Sequence, residues 1–150
     1  MTDDAQADEA RTLAYIAGCD DPAKLKTTIT NARRQQNEAV IRAASLRLYE
    51  VMPSALSGTP EHDVWRSVYA LEDTLKSERG KTTLLGRTRQ KIARDGEIKT
   101  VADLVLGKTS DGFRMLIDRG MVDHTFEAVA LRHPAHFAAE VLEAARARLR

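Results

Sequence analysis

The sequence has little of what marks disulfide-rich, membrane-spanning or zinc-binding proteins. Its single cysteine, Cys19, can form no internal disulfide and has no companion at zinc-ligand spacing. We expect Cys19 to pack as a small buried hydrophobe in a reducing compartment. No apolar run approaches the roughly 18 residues that span a bilayer, and the acidic start lacks the regions of a signal peptide. These absences predict a soluble, cytoplasmic protein with no membrane partner.

Strand-like segments and aromatic residues are also scarce. No run of β-branched or aromatic residues alternates with polar ones as a strand would, and aromatic residues make up only 5% of the chain. Trp65, the only tryptophan, lies in an apolar stripe and is expected to anchor the core. Apolar residues recur at steps of three and four instead, which predicts an all-α fold of about eight short-to-medium helices.

The apolar pattern and its breaks divide the chain into successive parts. Residues 1–8 are predicted to form a disordered tail because acidic and polar residues dominate them. Residues 9–79 form an N-terminal helical part, residues 80–99 a basic helix with its turn, and residues 100–150 a compact C-terminal cap of short helices. We expect these parts to form one continuous domain.

Helix start and stop signals are clearest before residue 80. Asp21 followed by Pro22 predicts the start of one helix, and Pro53 predicts the end of the next. The joint between these two helices is short, so they should pack as an antiparallel hairpin. A longer helix opens at Thr59 and is broken by Gly80.

Motifs that would indicate an enzyme or a metal site are incomplete. Residues 80–82 match the end of a phosphate-binding loop, but Leu75 stands where that loop needs its first glycine. His133 and His136 have a spacing that can serve zinc, but Pro134 separates them and no further ligand fits the pattern. No nucleophile has a recognisable partner base. We therefore predict no enzymatic activity, no bound metal and no cofactor.

Residues 79–94, hereafter the basic segment, form the one strongly charged stretch. The segment carries six basic residues and no acidic one: Arg79, Lys81, Arg87, Arg89, Lys91 and Arg94. If residues 82–94 form a helix, one apolar stripe faces the core, consisting of Leu84, Leu85, Thr88 and Ile92. The same helical wheel places Arg87, Lys91 and Arg94 on a separate ridge. Thr82 or Thr83 would cap this helix and leave amides free for an anion.

The basic ridge requires negative charge from elsewhere. Like charges at steps of three and four destabilise a helix by roughly 0.2–0.5 kcal/mol per pair. Nucleic-acid phosphates could supply the negative charge through paired arginine hydrogen bonds. Acids of the same chain, such as Glu72, Asp73 or Glu78, could equally do so, and the sequence leaves both explanations open.

The stretch from Leu85 to Ile92 resembles the turn and recognition helix of helix-turn-helix proteins, over about a dozen residues. Gly86 and Ile92 match the turn glycine and the buried position after it. Thr82 stands where a smaller residue is usual, and Asp95 stands where a buried one is usual. The resemblance implies that arginine and glutamine side chains reach base edges, namely those of Arg87, Arg89 and Gln90.

These observations predict a small helical protein that binds nucleic acid, most simply duplex DNA, in a regulatory or accessory role. Contacts would be mainly to phosphates, and the absence of aromatic residues from the basic segment disfavours stacking on single strands. The candidate site consists of Arg79, Lys81, Thr82, Thr83, Arg87, Arg89, Gln90, Lys91 and Arg94. The alternative is a helical adaptor whose basic helix docks on an acidic protein surface without nucleic acid.

Overall fold

The computed structural model describes residues 3–150. The chain divides into two compact units, the first ending at Ser54 and the second beginning at Ala55. No strand occurs anywhere between residues 3 and 150, so the predicted all-α class is confirmed. Within that range no helix is long and apolar enough to cross a membrane. The division into units does not coincide with the predicted boundaries after residues 8, 79 and 99.

The first unit is a three-helix arrangement made of α1 (Asp3–Ala17), α2 (Pro22–Arg34) and α3 (Glu38–Val51). Helices α2 and α3 pack along each other as the predicted hairpin, and α1 packs on α3. Its buried core is built from helical-period apolar residues together with the expected buried cysteine: Ile16, Cys19, Leu25, Ile29, Ala32, Val40, Ala44 and Leu48.

The predicted disordered tail needs correction, because residues 3–8 belong to α1. Asp3 and Asp4 occupy the first turn of this helix, where the helix dipole favours negative charge. The acidic composition that predicted disorder therefore suits a helix start. Met1 and Thr2 lie outside the described residues.

Hydrogen bonds at the end of α2 and at the start of α3 fix the turn between these two helices. The Asn37 amide donates to Ala32 O at 3.0 Å and the Gln36 amide donates to Arg33 O at 3.1 Å, which closes α2 in a Schellman motif. Gln36 takes the left-handed position of that motif, with φ of 55°. The Asn37 side chain then accepts from the Val40 amide and caps α3. Three residues thus end one helix and start the next.

The second unit contains the remaining helices. They are α4 (Pro60–Arg79), α5 (Gly86–Asp95), α6 (Glu97–Leu106), α7 (Asp111–Asp118), α8 (Phe126–Arg132) and α9 (Ala139–Leu149), with 3₁₀ turns at Val122–His124 and Pro134–His136. The long α4 begins at the predicted cap, where the Thr59 hydroxyl accepts from the His62 amide, and ends at Gly80. Valines dominate the core, in which Val64, Val68, Val101, Val105 and Val129 are fully buried.

A buried carboxylate ties α4 to α8. Asp63 accepts two hydrogen bonds from Arg132, at 2.8 and 2.9 Å, and one from Arg66 at 3.1 Å. The His133 ring nitrogen lies 2.9 Å from the same carboxylate. Burial alone would raise the pKa of Asp63, but Arg132, Arg66 and His133 together hold it below its ordinary value. His133, considered above as a zinc ligand, therefore takes part in an ionic cluster that joins two helices.

Candidate functional site

The basic helix begins later than the sequence predicted. Residues 80–85 are not helical, and α5 starts at Gly86. Neither Thr82 nor Thr83 caps it, since the Thr83 hydroxyl donates to Lys81 O at 3.2 Å. The negative group at this helix start is the carboxylate of Glu72, which accepts from the Leu85 amide at 2.9 Å. The acceptor at the start of α5 belongs to α4, because residues 80–85 turn the chain back toward α4. Capping rules consider only neighbouring residues and cannot predict such a distant acceptor.

Arg89, expected to point outward, is half-buried and bonded to α4. Its guanidinium donates to both carboxylate oxygens of Glu72, at 2.6 and 2.7 Å, and the buried Glu72 is only 8% exposed. The guanidinium also lies 5.3 Å from the centre of the Trp65 ring and 5.8 Å from that of Tyr69. The hydrogen bonds to Glu72 raise the pKa of Arg89. These contacts make Arg89 a structural residue of the α4–α5 joint.

The sequence left open whether phosphates or acids of the same chain balance the ridge of Arg87, Lys91 and Arg94, and acids of the chain pair with two of its three members. Lys91 Nζ lies 2.9 Å from Asp95 Oδ2 and 2.7 Å from Asp103 Oδ2. Arg94 Nε lies 3.3 Å from Asp95 Oδ1.

The pKa values of these acids reflect the pairing. Hydrogen bonds from Lys91 lower the pKa of Asp95 and of Asp103. Asp103 lies on α6, and only Gly96 separates α6 from α5. The chain turns back at Gly96, so α6 packs beside α5 and Asp103 comes close to Lys91. A helical wheel of one helix contains no such information.

Acids of the same chain thus neutralise half of the basic segment. Among the acids suggested from sequence, Glu72 takes this role, whereas Glu78 pairs with Arg119 at 2.7 Å. Asp95 and Asp103 were not anticipated. The signal that could have found Asp95 is its i,i+4 spacing from Lys91.

The other half of the basic segment stays exposed. Arg79, Lys81 and Arg87 have no acidic partner within residues 3–150, and Gln90 is exposed on α5 as well. Arg79 lies about 10 Å along α4 from Glu72, at a rise of about 1.5 Å per residue. Glu72 binds the Leu85 amide just before α5 begins, so Arg87 lies near Glu72, at the other end of this 10 Å from Arg79. The three cations therefore lie within or beside the non-helical stretch 80–85.

The apolar stripe of the basic helix is narrower than predicted. Ile92 is buried and Leu85 is half-buried, but Leu84 is 59% exposed. Gly86 is the first residue of α5 and does not have the positive φ of a turn glycine. Residues 82–95 therefore do not form the turn and helix that the resemblance to helix-turn-helix proteins implied, and Arg89, one of the side chains expected to reach base edges, is hydrogen-bonded to Glu72.

A cavity of about 280 Å³ lies within the second unit, on the side of α4 that faces α7 and α8, and sequence reasoning missed it. Its walls are mostly apolar and are built from α4, α7, α8 and the start of α5: Leu71, Leu75, Leu85, Phe113, Leu116 and Phe126. Gly112 lets α7 pack closely on α4 beside the cavity, because a Cβ at this position would lie 2.7 Å from Leu71 Cδ2. Its lining also includes the exposed residues Arg79, Lys108 and Asp111.

Ser67 and Glu127, both in the cavity wall, each have a buried oxygen that makes no hydrogen bond. Ser67, 2% exposed, has no partner for its Oγ, and Glu127, 4% exposed, has no hydrogen bond at Oε2. The nearest charge to Glu127 is the Arg148 guanidinium, 3.8 Å away. Burial raises the pKa of Glu127 above its ordinary value, although Arg148 acts in the opposite direction. Each unsatisfied buried group costs roughly 1–3 kcal/mol, so such groups are uncommon without a role.

The chain matches no protein-family model, no curated protein and no solved structure. The described residues contain no cluster of three histidine, cysteine or carboxylate side chains that could hold a metal ion. Function is therefore argued from two features of the second unit, the exposed cations beside residues 80–85 and the cavity.

Proposed function

We propose that this protein binds nucleic acid through the phosphate backbone, using Arg79, Lys81 and Arg87. The observation that carries the proposal is that these exposed cations lack acidic partners within the described part of the chain. Cations without partners are available for phosphate oxygens, and arginine offers two parallel hydrogen bonds to each phosphate. The proposal is narrower than the one from sequence, because Arg89, Lys91 and Arg94 are now assigned to contacts within the chain.

Binding mainly through phosphates implies little sequence preference. Of the three side chains expected to reach base edges, Arg89 is hydrogen-bonded to Glu72, whereas Arg87 and Gln90 stay exposed. Aromatic residues that could stack on unpaired bases are absent from the basic segment. We therefore favour double-stranded over single-stranded nucleic acid, in an accessory or regulatory role.

The test is a titration of the whole protein against a mixed-sequence DNA duplex at several salt concentrations. Three phosphate contacts predict a slope of log affinity against log salt of about −2.7. The triple variant Arg79→Ala, Lys81→Ala, Arg87→Ala should lose most of the affinity and flatten the slope. A control with the same loss of charge, Arg114→Ala, Arg146→Ala, Arg150→Ala, should retain most of both. No binding of the unaltered protein at about 50 mM salt would contradict the proposal.

A protein partner is the second candidate, favoured by the exposed side chain of Leu84. A large apolar residue between cations suits an acidic protein surface with an apolar pocket better than it suits phosphates. Leu84→Ser distinguishes the two, since it should leave binding to duplex DNA unchanged and weaken binding to a protein partner. A large loss of DNA affinity in Leu84→Ser would contradict a mainly phosphate-based mode.

A further inference from the structure

The cavity of the second unit has a mostly apolar wall. Its half-buried lining residues include two leucines and two phenylalanines, namely Leu71, Leu85, Phe113 and Phe126. Ligand pockets typically combine such apolar surface, which supplies affinity, with a few polar groups that fix the orientation of the ligand. The volume of about 280 Å³ is at the small end of the usual range for pockets, which suits a ligand of about ten non-hydrogen atoms.

The buried polar residues of the wall do not present their polar atoms to a ligand. Ser67 Oγ, both ring nitrogens of His124 and Glu127 Oε2 have no accessible surface. The charge of Glu127 is also met by Arg148, whose Nη1 lies 3.8 Å from Oε2. The head group of a ligand must therefore find its partners among the other residues of the lining.

The exposed part of the lining carries an excess of positive charge. It contains two cations, Arg79 and Lys108, and a single acid, Asp111. Neither cation has an acidic partner within residues 3–150. Asp111 occupies the first turn of α7, where the helix dipole already stabilises its negative charge. An anionic head group would therefore meet two unpaired cations next to the apolar wall.

We propose that this cavity binds a small monocarboxylate with an apolar body, whose carboxylate group pairs with Arg79 and Lys108. Arginine can donate two parallel hydrogen bonds to one carboxylate, and the lysine ammonium group adds a further donor. The body, an aromatic ring or a short hydrocarbon chain, then fills the space beside Leu71, Phe113 and Phe126.

Neutral and cationic head groups fit the same lining less well. A hydroxyl group can accept hydrogen bonds from Arg79 and Lys108, but it lacks the charge that strengthens such bonds. An ammonium group has donors only, as both cations do, so its one exposed acidic partner in the lining is Asp111. The charge of the head group should therefore decide the affinity among ligands of the same shape.

The test compares three probes of equal shape on the full-length protein by isothermal titration calorimetry at low salt. The probes are 3-phenylpropionate, the neutral 3-phenylpropan-1-ol and the cationic 3-phenylpropan-1-amine. We expect the acid to bind about ten-fold more tightly than the alcohol, and the amine to bind least. Amide shifts in NMR spectra should be concentrated on the residues of α4, α7 and α8 that line the cavity. Equal or tighter binding of the alcohol or the amine, or no binding of the acid at millimolar concentration, would overturn the proposal.

Two single variants assign the carboxylate group to its partners. Arg79→Gln and Lys108→Gln should each weaken binding of the acid about three- to ten-fold and leave binding of the alcohol unchanged. Lys76→Gln is the matched control, since Lys76 is an exposed cation of the same helix as Arg79 that does not line the cavity. All three side chains are exposed, so these variants should fold. Unchanged affinity for the acid in both Arg79→Gln and Lys108→Gln would show that the carboxylate binds elsewhere and would overturn the assignment.

The inference can be separated from the proposed nucleic-acid binding, although Arg79 belongs to both. Lys108 is not among the proposed phosphate contacts, so Lys108→Gln should weaken binding of the acid and leave the affinity for duplex DNA unchanged. Failure of the acid to bind, with DNA binding intact, would overturn the cavity assignment alone. Failure of DNA to bind, with the acid bound, would overturn the proposed function alone.

Discussion

Gln36 occupies a backbone conformation that glycine adopts at lower cost. Its φ of 55° lies in the left-handed region, and its side chain is exposed in the turn between α2 and α3. The sequence predicted this turn but not which residue would be strained, since position 36 carries no glycine. The polar run Gln35-Gln36-Asn37 indicates a joint, and only the hydrogen bonds to Ala32 and Arg33 identify Gln36 as the left-handed residue.

We predict that Gln36→Gly stabilises the first unit by up to about 1 kcal/mol. Glycine removes the steric penalty of the left-handed conformation, and this gain exceeds the extra entropy that glycine gives the unfolded chain. Gln35→Gly is the matched control, since Gln35 has an ordinary φ of −88° and should lose roughly 0.5–1 kcal/mol. Urea unfolding followed by circular dichroism measures both. Equal effects of the two substitutions would contradict the strain at Gln36.

At the scale of whole elements, α5 is fixed by contacts from its neighbours in the fold more than by its own sequence. The sequence predicted a helix over residues 82–94, and α5 confirms the helix but begins at Gly86. Its start and its partner Asp103 were not predicted, because they depend on packing against α4 and α6, and Glu72 was only one of three acids that the sequence suggested. These acids lie 12 to 17 residues away from the side chains that they bind. A helical wheel shows which residues share a face of one helix and gives no information about ion pairs between helices.

We predict that Glu72→Gln loosens the attachment of α5 to α4. The variant removes the charge that holds Arg89 and weakens the acceptor of the Leu85 amide, so the second unit should lose about 2 kcal/mol. Hydrogen exchange should accelerate at the amides of Leu85 and Arg89. The control is Glu78→Gln on the same helix, where an exposed pair with Arg119 should change stability by no more than about 0.5 kcal/mol. Unchanged exchange at Leu85 in Glu72→Gln would contradict the role of Glu72.

At the scale of the whole molecule, composition and hydrophobic periodicity were sufficient to predict the all-α class. They did not predict where compact units meet or where a cavity lies. The cavity lies between residues of several helices that are far apart in the chain, and no local pattern encodes that space. Ser67 and Glu127 look like ordinary polar residues in the printed sequence, and only their burial distinguishes them.

Acid should destabilise the second unit through carboxylates whose pKa is lowered in the folded state. Ion pairs lower the pKa of Asp63, Asp95 and Asp103 below the unfolded value of about 3.9. Their contribution to stability is fully present above that value and is lost as pH falls through the folded pKa. Glu127 acts in the opposite direction, since its folded pKa lies above the unfolded value of about 4.3 and its cost diminishes on protonation.

We therefore expect the free energy of unfolding of the second unit to fall steeply below about pH 4. Asp63→Asn should make this loss of stability at low pH less steep, because it removes the most buried of the three carboxylates whose pKa is lowered. Asp123→Asn is the control, since the Asp123 side chain is exposed and only its backbone oxygen binds Arg66 and Arg132. Urea unfolding between pH 3 and pH 7 measures the effect. If the free energy of unfolding falls as steeply at low pH in Asp63→Asn as in the unaltered protein, groups other than Asp63 cause the loss.

The position of the single tryptophan gives this protein a built-in optical reporter. Trp65 donates to Glu97 at the start of α6 while its ring contacts Arg89 of α5, so one indole touches two helices beyond its own. Its emission therefore senses whether α5 and α6 are seated on α4, without any attached dye. Because the first unit contains no tryptophan, the same signal records the second unit alone in an unmodified sample.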